Sequence, residues 1–312
     1  MNSFKDRFPL LSYWAGKKLM ILDTLFYRNN PIKWTLKKYK KMYGIKLNLN
    51  KPVSYYEKMN YWKHFSYDPT QDVLTDKLSM KDFLREKGYS DLVVQTYFKT
   101  NSAKQFKKWF YNNKDVLKRF VVKTNHGCGD VFIFDNGVFT KKNGRIIKSV
   151  NSIVKILSIS LKTNHYYSRF EQNYKNITPM IYIEEFIDLS DGETKEYEFM
   201  TNYGDIKYSN IIFERQSPNR KVVIVDSNFK FLEMYYGAAD KATLNKIREP
   251  KNLAFIKKFI KDNCASFPFC RVDFIETKNK LLLNEFTFVK SGGIDIYKPD
   301  YLNNKLGELF KL

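Results

Sequence analysis

The spacing of apolar and polar residues predicts an N-terminal helical part followed by a longer part that mixes helices with strands. Helical spacing predicts the helices Trp34–Tyr43, Tyr55–His64, Asp72–Lys87, Ser102–Asn112, Ser149–Ser160 and Asn252–Asn263. Short apolar runs between glycine or polar turns predict the strands Asp91–Phe98, Phe120–Thr124, Val131–Phe134, Pro179–Ile187, Glu196–Asn202, Ile206–Phe213, Lys221–Val225, Phe267–Ile275 and Leu281–Phe288. Because many of these strands are joined by short turns, the pattern indicates an α+β fold.

The last two predicted strands form a hairpin in which each strand carries one acid among core residues. Asp273 lies between Val272 and Phe274, and Glu285 lies in the returning strand. Two carboxylates on adjacent buried strands need a compensating charge, because an unpaired buried carboxylate is costly. Mg²⁺ suits them, since it prefers oxygen ligands and shares them with substrate phosphates. The alternative is that Asp273 caps a turn or pairs with Arg271, while Glu285 faces solvent on an edge strand.

A glycine turn, Asn125–Asp130, follows the strand that ends near Lys123. Its two glycines, one residue apart, allow positive φ and a close approach of the backbone to a ligand. Backbone N–H groups in such a turn can bind an anion, and Lys123 is well placed for a phosphate. The turn matches neither a Walker A loop nor a dinucleotide fingerprint. An ordinary hairpin with a surface lysine remains the alternative.

The composition indicates a globular protein. The 312 residues, 43% of them hydrophobic, suit a globular protein with two or three subdomains. Three cysteines without metal-ligand spacing fit a reducing compartment. The longest N-terminal apolar run, around Leu19–Tyr27, is interrupted by Asp23 and is too short to span a bilayer. We therefore expect a cytoplasmic protein, at most peripheral at the inner face of the membrane.

The net charge of +21 is concentrated at the N-terminus. Residues 1–63 hold fourteen lysines and arginines against three acids, a net charge of +11. A basic surface favours a polyanion, which leaves nucleic acid, anionic lipid or an acidic substrate as partners. No recognised nucleic-acid motif is present, so nucleic acid is the least expected of the three. A solvated basic face without a partner is the alternative.

Four segments, taken together and in order, resemble the ATP-grasp superfamily, and more narrowly the TupA-like ATP-grasp proteins of teichuronopeptide and surface-polysaccharide biosynthesis. They are Pro52–Lys63, Lys123–Gly129, Ile183–Ile187 and Phe267–Phe288. The resemblance, which covers Lys46 to the C-terminus, implies two α+β subdomains that grip ATP between antiparallel sheets, here with a basic helical N-terminal extension. The expected domains are 1–63 (N-terminal region), 64–118 (α/β part), 119–187 (glycine-loop lid) and 188–312 (C-terminal subdomain with the metal hairpin).

The resemblance also implies roles for residues. Lys77 and Lys123 match lysines that contact ATP, Asn125–Gly129 matches the flexible lid over the triphosphate, and Glu184–Ile187 matches the adenine hinge. In that hinge the backbone of Glu185 and Ile187 reads the base. The implied ATP-binding residues are Lys77, Lys123, Asn125, His126, Gly127, Cys128, Gly129, Glu184, Glu185, Phe186 and Ile187, and the implied Mg²⁺ ligands are Asp273, Glu285 and Thr287.

The chain departs from the family pattern at three places. Thr287 stands where the wider superfamily has asparagine, although TupA-like proteins share the threonine. Val289–Gly293 replaces a Pro-Gly-Ser-Gly-like run, and Glu198 stands where the family tends to have lysine. The Val289–Gly293 run alters the acceptor-side loop, and Glu198 removes a cation that the family has near the nucleotide.

The reaction implied is ATP-dependent ligation of a carboxylate to an amine through an acyl phosphate. The expected substrates are the carboxyl of a uronic acid or acidic glycan precursor and an amino acid or amine, in surface-polysaccharide biosynthesis. Arg215, Arg220 and Lys290 are candidates for binding the transferring phosphate or the substrate acid, with solvated surface charges as the alternative. An anionic membrane surface and polysaccharide-assembly enzymes are further partners that the basic charge would suit.

Two other functions remain open at this point. A glycosyltransferase of capsule or O-antigen type would also need an acidic metal site, for a nucleotide sugar. A basic nucleic-acid binder would show strongly salt-dependent retention on RNA or DNA and no response to ATP.

Overall fold

A computed structural model describes residues 22, 24–127, 129–141, 144–147, 149–189, 194–213, 220–232, 241–294 and 301–312. The chain divides into two compact units. Unit 1 comprises the described part of Met1–Pro31, with Asp76–Leu78 and Val94–Ile187, and unit 2 comprises Ile32–Thr75, Ser79–Val93 and Asp188–Leu312. Residues 32–63 thus belong to unit 2, whereas the sequence sets 1–63 apart. The separate basic extension and the four domain ranges stay predictions.

Ten α-helices lie within the described ranges. They are α1 (Pro31–Tyr43), α2 (Tyr55–Phe65), α3 (Thr70–Thr75), α4 (Lys77–Glu86), α5 (Ala103–Asn113), α6 (Val150–Ser160), α7 (Tyr166–Arg169), α8 (Lys241–Leu244), α9 (Leu253–Cys264) and α10 (Tyr301–Glu308). Local signals explain their ends. Gly44, with φ +70°, closes α1 as predicted, and Ser54 and Glu57 form a reciprocal capping box at the start of α2.

Eleven strands form two antiparallel sheets in the described part of the chain. They are β1 (Thr96–Thr100), β2 (Arg119–Thr124), β3 (Phe132–Asp135), β4 (Val138–Lys141), β5 (Ile146–Ile147), β6 (Ile181–Glu185), β7 (Lys195–Asn202), β8 (Asp205–Phe213), β9 (Lys221–Asp226), β10 (Cys270–Glu276) and β11 (Leu281–Thr287). The sheet of unit 1 has the order β1-β6-β2-β3-β4-β5, and that of unit 2 the order β11-β10-β7-β8-β9. The predicted α+β class is confirmed.

Two predicted elements are wrong. The helix predicted over Asp72–Lys87 is two helices, because Asp76 interrupts it and accepts a hydrogen bond from the backbone N–H of Leu78 at the start of α4. The strand predicted over Asp91–Phe98 begins instead as a 3₁₀ turn, Ser90–Leu92, and β1 starts only at Thr96. Ser90 and Asp91 favour turns, and the turn buries Leu92 in the core of unit 2.

Each sheet buries one face in its own core. In unit 1, alternate residues of β2, Phe120 and Val122, pack with Phe106 of α5 and Ile153 of α6. In unit 2, three neighbouring strands and α9 form the larger core. The strand residues in it include Tyr197, Phe199, Val272, Phe274 and Phe286. Because side chains alternate along a strand, the residues between these face the other side of each sheet. Those opposite faces carry the predicted site residues.

No helix in the described ranges combines the length and the apolar character needed to cross a bilayer.

The stability of unit 2 should depend on the protonation of His64, which lies on α2 with its Nε2 2.9 Å from Thr35 Oγ1. Burial, with a smaller effect from Lys63, lowers the pKa of His64 to about 3. Below pH 6.5 the unfolded chain therefore binds a proton that the folded chain does not, so stability falls as the pH drops towards 3. Between pH 7 and pH 5 this loss should be about 2 kcal/mol at 1.4 kcal/mol per pH unit.

Urea unfolding of the wild type and of His64→Gln at both pH values measures this contribution. The glutamine keeps a hydrogen-bonding group but cannot titrate, so its loss of stability between the two pH values should be smaller by the amount stated. Equal losses in the two proteins would show that His64 does not remain neutral in the fold.

Candidate functional site

The predicted nucleotide side lies in unit 1, on the sheet face opposite the core. Lys123 of β2 and Glu184 of β6 form an ion pair across neighbouring antiparallel strands. The Glu184 side chain is almost fully buried, whereas Lys123 retains 20% of its side-chain exposure. Lys123 is thus held by an acid on the same sheet yet remains reachable, which suits an ammonium group that binds a phosphate.

Lys77, from the start of α4, meets the glycine turn that follows β2. Its Nζ donates to the carbonyl of Gly127 at 3.3 Å, and its backbone N–H points to the carbonyl of Asn125 at 3.4 Å. Gly129 has φ +97° with no atom within 4 Å of an added Cβ, so its requirement for glycine is conformational. The structure therefore brings together Lys77 and the turn that sequence analysis linked only through the family resemblance.

Asn125 fixes the first part of this turn. Its Nδ2 donates to Asp76 Oδ1 at 2.9 Å and to the carbonyl of Thr178 at 3.0 Å, and its Oδ1 accepts from the Met180 N–H at 2.7 Å. The buried His126 ring contacts Asn125 Oδ1 at 3.2 Å and the Ser160 carbonyl at 3.0 Å. These two side chains are engaged with the protein, so the part of the predicted lid left for a phosphate is the backbone at the glycines. Cys128 lies outside the described residues.

The predicted adenine hinge, Glu184–Ile187, runs out of the end of β6. The backbone N–H of Glu185 donates to the carbonyl of Gln95 at 2.9 Å. This N–H is therefore already engaged within the protein. The Phe186 ring lies 4.2 Å beneath the Arg119 guanidinium, a cation–π contact that fixes the start of the segment.

The predicted metal hairpin is β10–β11 of unit 2, and Asp273 lies directly opposite Glu285 in its register. Arg271 binds both acids. Its Nε and Nη2 donate to the two oxygens of Asp273 at 2.7 Å each, and Nη2 also donates to Glu285 Oε1 at 2.5 Å. The alternative that Asp273 pairs with Arg271 is therefore what the structure has. Glu285 lies on the edge strand and keeps 28% of its side-chain exposure, while Thr287 lies opposite Arg271.

Three further residues belong to this face: Glu196, Glu198 and Asn210. Sequence analysis named only Glu198 among them, as a departure from the family pattern and not as a site residue. Glu198 is the register partner of both Asp273 and Asn210, and Asn210 Nδ2 donates to Glu198 Oε2 at 2.7 Å. Carboxylate oxygens of Glu196, Glu198 and Asp273 all lie within 4.8 Å of one another. The alternation of Glu196 and Glu198 with the core residues of β7 was a usable signal, but it did not show which strand β7 adjoins. We call this surface, with Arg271 and Glu285, the acidic face.

Electrostatics on the acidic face favour a bound cation. Burial raises the pKa of Asp273 well above its ordinary value; Arg271 opposes that rise, and the carboxylates of Glu198 and Glu285 add to it. The pKa of the buried Arg271 is also raised by these acids, so the guanidinium stays charged. An additional positive charge would stabilise the ionised acids.

The predicted catalytic cations are not equivalent. Lys290 is buried at the start of a 3₁₀ turn, Lys290–Gly293, directly after β11. Arg220 is exposed, next to the start of β9, and Arg215 lies outside the described residues.

Helices α1 and α2 hold the loop that carries Lys290. Three consecutive carbonyls accept hydrogen bonds from them: that of Gly292 from Lys63 Nζ at 3.1 Å, that of Gly293 from Asn60 Nδ2 at 2.7 Å, and that of Ile294 from Tyr43 Oη at 2.6 Å. Two side chains of the Pro52–Lys63 motif therefore hold the end of the Val289–Gly293 segment.

Gly293→Ala should destabilise unit 2 by about 3 kcal/mol, the sum of left-handed strain and a steric clash. Gly293 has φ +72°, and an added Cβ would lie 2.5 Å from Asn60 Oδ1. Gly88→Ala is the matched control, because Gly88 has φ +81° but no atom within 4 Å. That variant should lose only about 1 kcal/mol in urea unfolding. Equal losses would mean that the contact with Asn60 is not restrictive.

A search of curated protein sequences found no significant match. Among solved structures, D-alanine-D-alanine ligase from Helicobacter pylori is 17% identical, with 83% of this chain and 70% of that chain covered and a TM-score of 0.42. D-cycloserine synthetase DcsG is 11% identical, with 77% and 70% covered and a TM-score of 0.38.

A further solved structure, D-alanine-D-alanine ligase from Bacillus anthracis complexed with ATP, is 13% identical, with 70% of this chain and 54% of that chain covered and a TM-score of 0.35. The family assignment rests on the match to a sequence family and not on these structural similarities. A family model described as TupA-like ATPgrasp matches residues 57–311, most of the chain. This match agrees with the ATP-grasp enzyme class that the resemblance implied. The chain belongs to the TupA-like ATP-grasp family.

Proposed function

We propose that the protein is an ATP-dependent carboxylate–amine ligase. A substrate carboxylate attacks the γ-phosphorus of ATP, which releases ADP and forms an acyl phosphate. The amine then attacks the acyl carbon, phosphate leaves with the C–O bond electrons, and the nitrogen loses a proton to give the amide. The observation that carries the proposal is that Asp273 lies directly opposite Glu285 across β10–β11, on the face of the hairpin that does not pack in the core.

The residues present fit Mg²⁺. Asp273 and Glu285 offer carboxylate oxygens, the donors that this ion prefers, and Glu285 is partly exposed while Asp273 is buried. Arg271 fixes the orientation of both carboxylates. Mg²⁺, when bound, would neutralise charge on the phosphates. Thr287, opposite Arg271, would act as a hydroxyl ligand or hydrogen-bond partner beside them.

In unit 1, Lys77, Lys123 and the glycine backbone would bind the phosphates, and Glu184–Ile187 would bind the base. Phosphoryl transfer needs little covalent chemistry from the protein, so positioning and charge neutralisation by these groups supply most of the catalysis. Glu184 orients Lys123 through their ion pair. Lys290, with Arg220 and Arg215 as further candidates, would bind the substrate acid or the transferring phosphate.

For the acceptor we propose the carboxyl of a uronic acid or acidic glycan precursor, joined to an amino acid or amine in surface-polysaccharide biosynthesis. The net charge of +21 supports this choice, because a basic protein attracts acidic polymers and the anionic inner leaflet where such precursors are assembled. The proposed location is therefore the cytoplasm, peripheral to the membrane.

A thermal-shift comparison of nucleotides tests the proposal. Mg-ATP should raise the unfolding temperature, ATP with EDTA should raise it less, and UDP-sugars should have no effect, since a ligand stabilises only the fold that binds it. ADP release should then require Mg²⁺, an acid and an amine together. Stabilisation by a UDP-sugar alone would contradict the ligase and favour a glycosyltransferase.

Lys123→Met should weaken ATP binding by about 10- to 100-fold, because a hydrogen bond to a charged group contributes about 1.5–3 kcal/mol. Isothermal titration calorimetry of the folded variant measures this. Lys104→Met is the control: Lys104 is an exposed lysine of α5, which packs on the core face of the same sheet. An unchanged dissociation constant for Lys123→Met would remove Lys123 from the nucleotide site.

A further inference from the structure

We propose that the acidic face holds a second divalent-cation site, formed by the carboxylates of Glu196, Glu198 and Asp273 with the amide oxygen of Asn210. This site shares Asp273 with the pair of residues proposed to hold the nucleotide's Mg²⁺, Asp273 and Glu285. Its other ligands come from β7 and β8, which lie on the other side of β10 from β11. The ligand is a hard cation such as Mg²⁺ or Mn²⁺, because all four donors are oxygen atoms.

The strand register fixes the three acids as one group. Asp273 of β10 lies directly opposite Glu198 of β7, and Glu196 follows two residues away on the same face. Their carboxylate oxygens lie within 4.8 Å of one another. All three residues are buried: Asp273 is 0% exposed, Glu196 3% and Glu198 7%. Arg271 supplies one positive charge against these three acids and donates to Asp273 among them. The remaining like charges repel at this separation in a buried setting, and a divalent ion among them would relieve the repulsion.

Asn210 supplies an independent indication of a ligand. It is 5% exposed, and its Oδ1 has no hydrogen-bond partner within the described part of the chain. Its Nδ2 donates to Glu198 Oε2 at 2.7 Å. The reverse orientation of the amide would bring its oxygen against a carboxylate oxygen, so the carbonyl oxygen is the amide atom that lacks a partner. A buried amide oxygen without a donor is costly, and coordination to a cation would satisfy it.

Counting bound Mn²⁺ tests the proposal. Titration of the full chain without nucleotide, with free Mn²⁺ followed by electron paramagnetic resonance, should give two bound ions per wild-type chain. Glu198→Gln and Glu196→Gln should each bind one, with the affinity of the lost site reduced at least about 10-fold. Glu249→Gln, an exposed acid of unit 2, should still bind two.

Further variants separate this site from the nucleotide metal. Glu285→Gln should also bind one ion, but the Glu198→Gln/Glu285→Gln double variant should bind none. Circular dichroism before each titration shows which variants are folded, and Glu196→Gln provides the test if Glu198→Gln is not. If both Glu196→Gln and Glu198→Gln bind as many ions as the wild type, with equal affinity, the second site is refuted. A loss confined to Glu285→Gln would instead refute this site and support the proposed nucleotide metal.

Discussion

Asp273→Asn and Glu285→Gln should each lower ATP-dependent ligation by about 1000-fold or more, because the charge stabilisation lost with a metal ion amounts to several kcal/mol. Both residues lie on the β10–β11 hairpin, with their carboxylates joined through Arg271. Each substitution keeps the size of the side chain and one acceptor oxygen for Arg271 but removes the negative charge. Glu285→Gln should therefore affect the chemistry more than the fold. Asp273→Asn also places an amide nitrogen against Arg271, so it should lower the stability of unit 2 as well.

ADP release in the presence of Mg²⁺, acid and amine measures the effect, and the Mg-ATP thermal shift provides a second reading that needs no substrate. Glu308→Gln, an exposed acid of the same unit, should behave as the wild type in both. Full activity in both hairpin variants would show that the ligase metal lies elsewhere. Loss of activity with an unchanged Mg-ATP shift would place these acids in a later step than nucleotide binding.

Arg271→Met should destabilise unit 2 by about 3–5 kcal/mol, because removing one partner of a buried ion network leaves uncompensated charge. The side chain of Arg271 is 13% exposed and donates to both Asp273 and Glu285. Arg85→Met is the matched comparison, since Arg85 also pairs with an aspartate at 2.7 Å, but with the two side chains 45% and 56% exposed. Its loss should stay below about 1 kcal/mol.

Urea unfolding of both variants, with and without Mg²⁺, checks this difference. Added Mg²⁺ should recover more stability in Arg271→Met than in the wild type, because a bound ion can take over part of the neutralisation. Arg271→Met/Asp273→Asn should be more stable than the sum of the two single losses predicts, since the second change removes a stranded charge. Equal small losses for Arg271→Met and Arg85→Met would mean that the acidic face does not depend on a fixed cation.

Local patterns were enough to predict the β2–β3, β7–β8 and β10–β11 hairpins, the longer helices and the two acids of the β10–β11 hairpin. Those features depend on alternation and turn chemistry within a few residues. Strands β4 and β5 and the short helices α7, α8 and α10 were not predicted. Glu196 and Glu198 were not predicted to join Asp273, because β7 adjoins β10 although more than 60 residues separate them in sequence. Asn210 joins the group only through the register of β8 with β7. A pairing of that kind is set by the packing of the whole sheet rather than by any local signal.

The same distinction explains the glycine turn. The turn itself was evident from Gly127 and Gly129, but the fixed positions of Asn125 and His126 depend on partners at Asp76, Ser160 and Thr178. The ion pair between Arg271 and Asp273 was predicted as the alternative to a metal site, since the two residues lie two positions apart on one strand. Its extension to Glu285 required the register of the partner strand.

Asn60 and Lys63 donate hydrogen bonds to the carbonyls of Gly293 and Gly292, which follow β11. These bonds limit how far the N-terminus can be shortened in an active enzyme. The family match begins at residue 57, inside α2, and both side chains fall within it. A chain that begins at residue 64 would keep every proposed ATP and metal ligand and yet lose the hydrogen bonds to Gly292 and Gly293. Truncation of the basic N-terminus for expression should therefore stop before α1, at residue 30 or earlier, because Tyr43 of α1 binds the next carbonyl along.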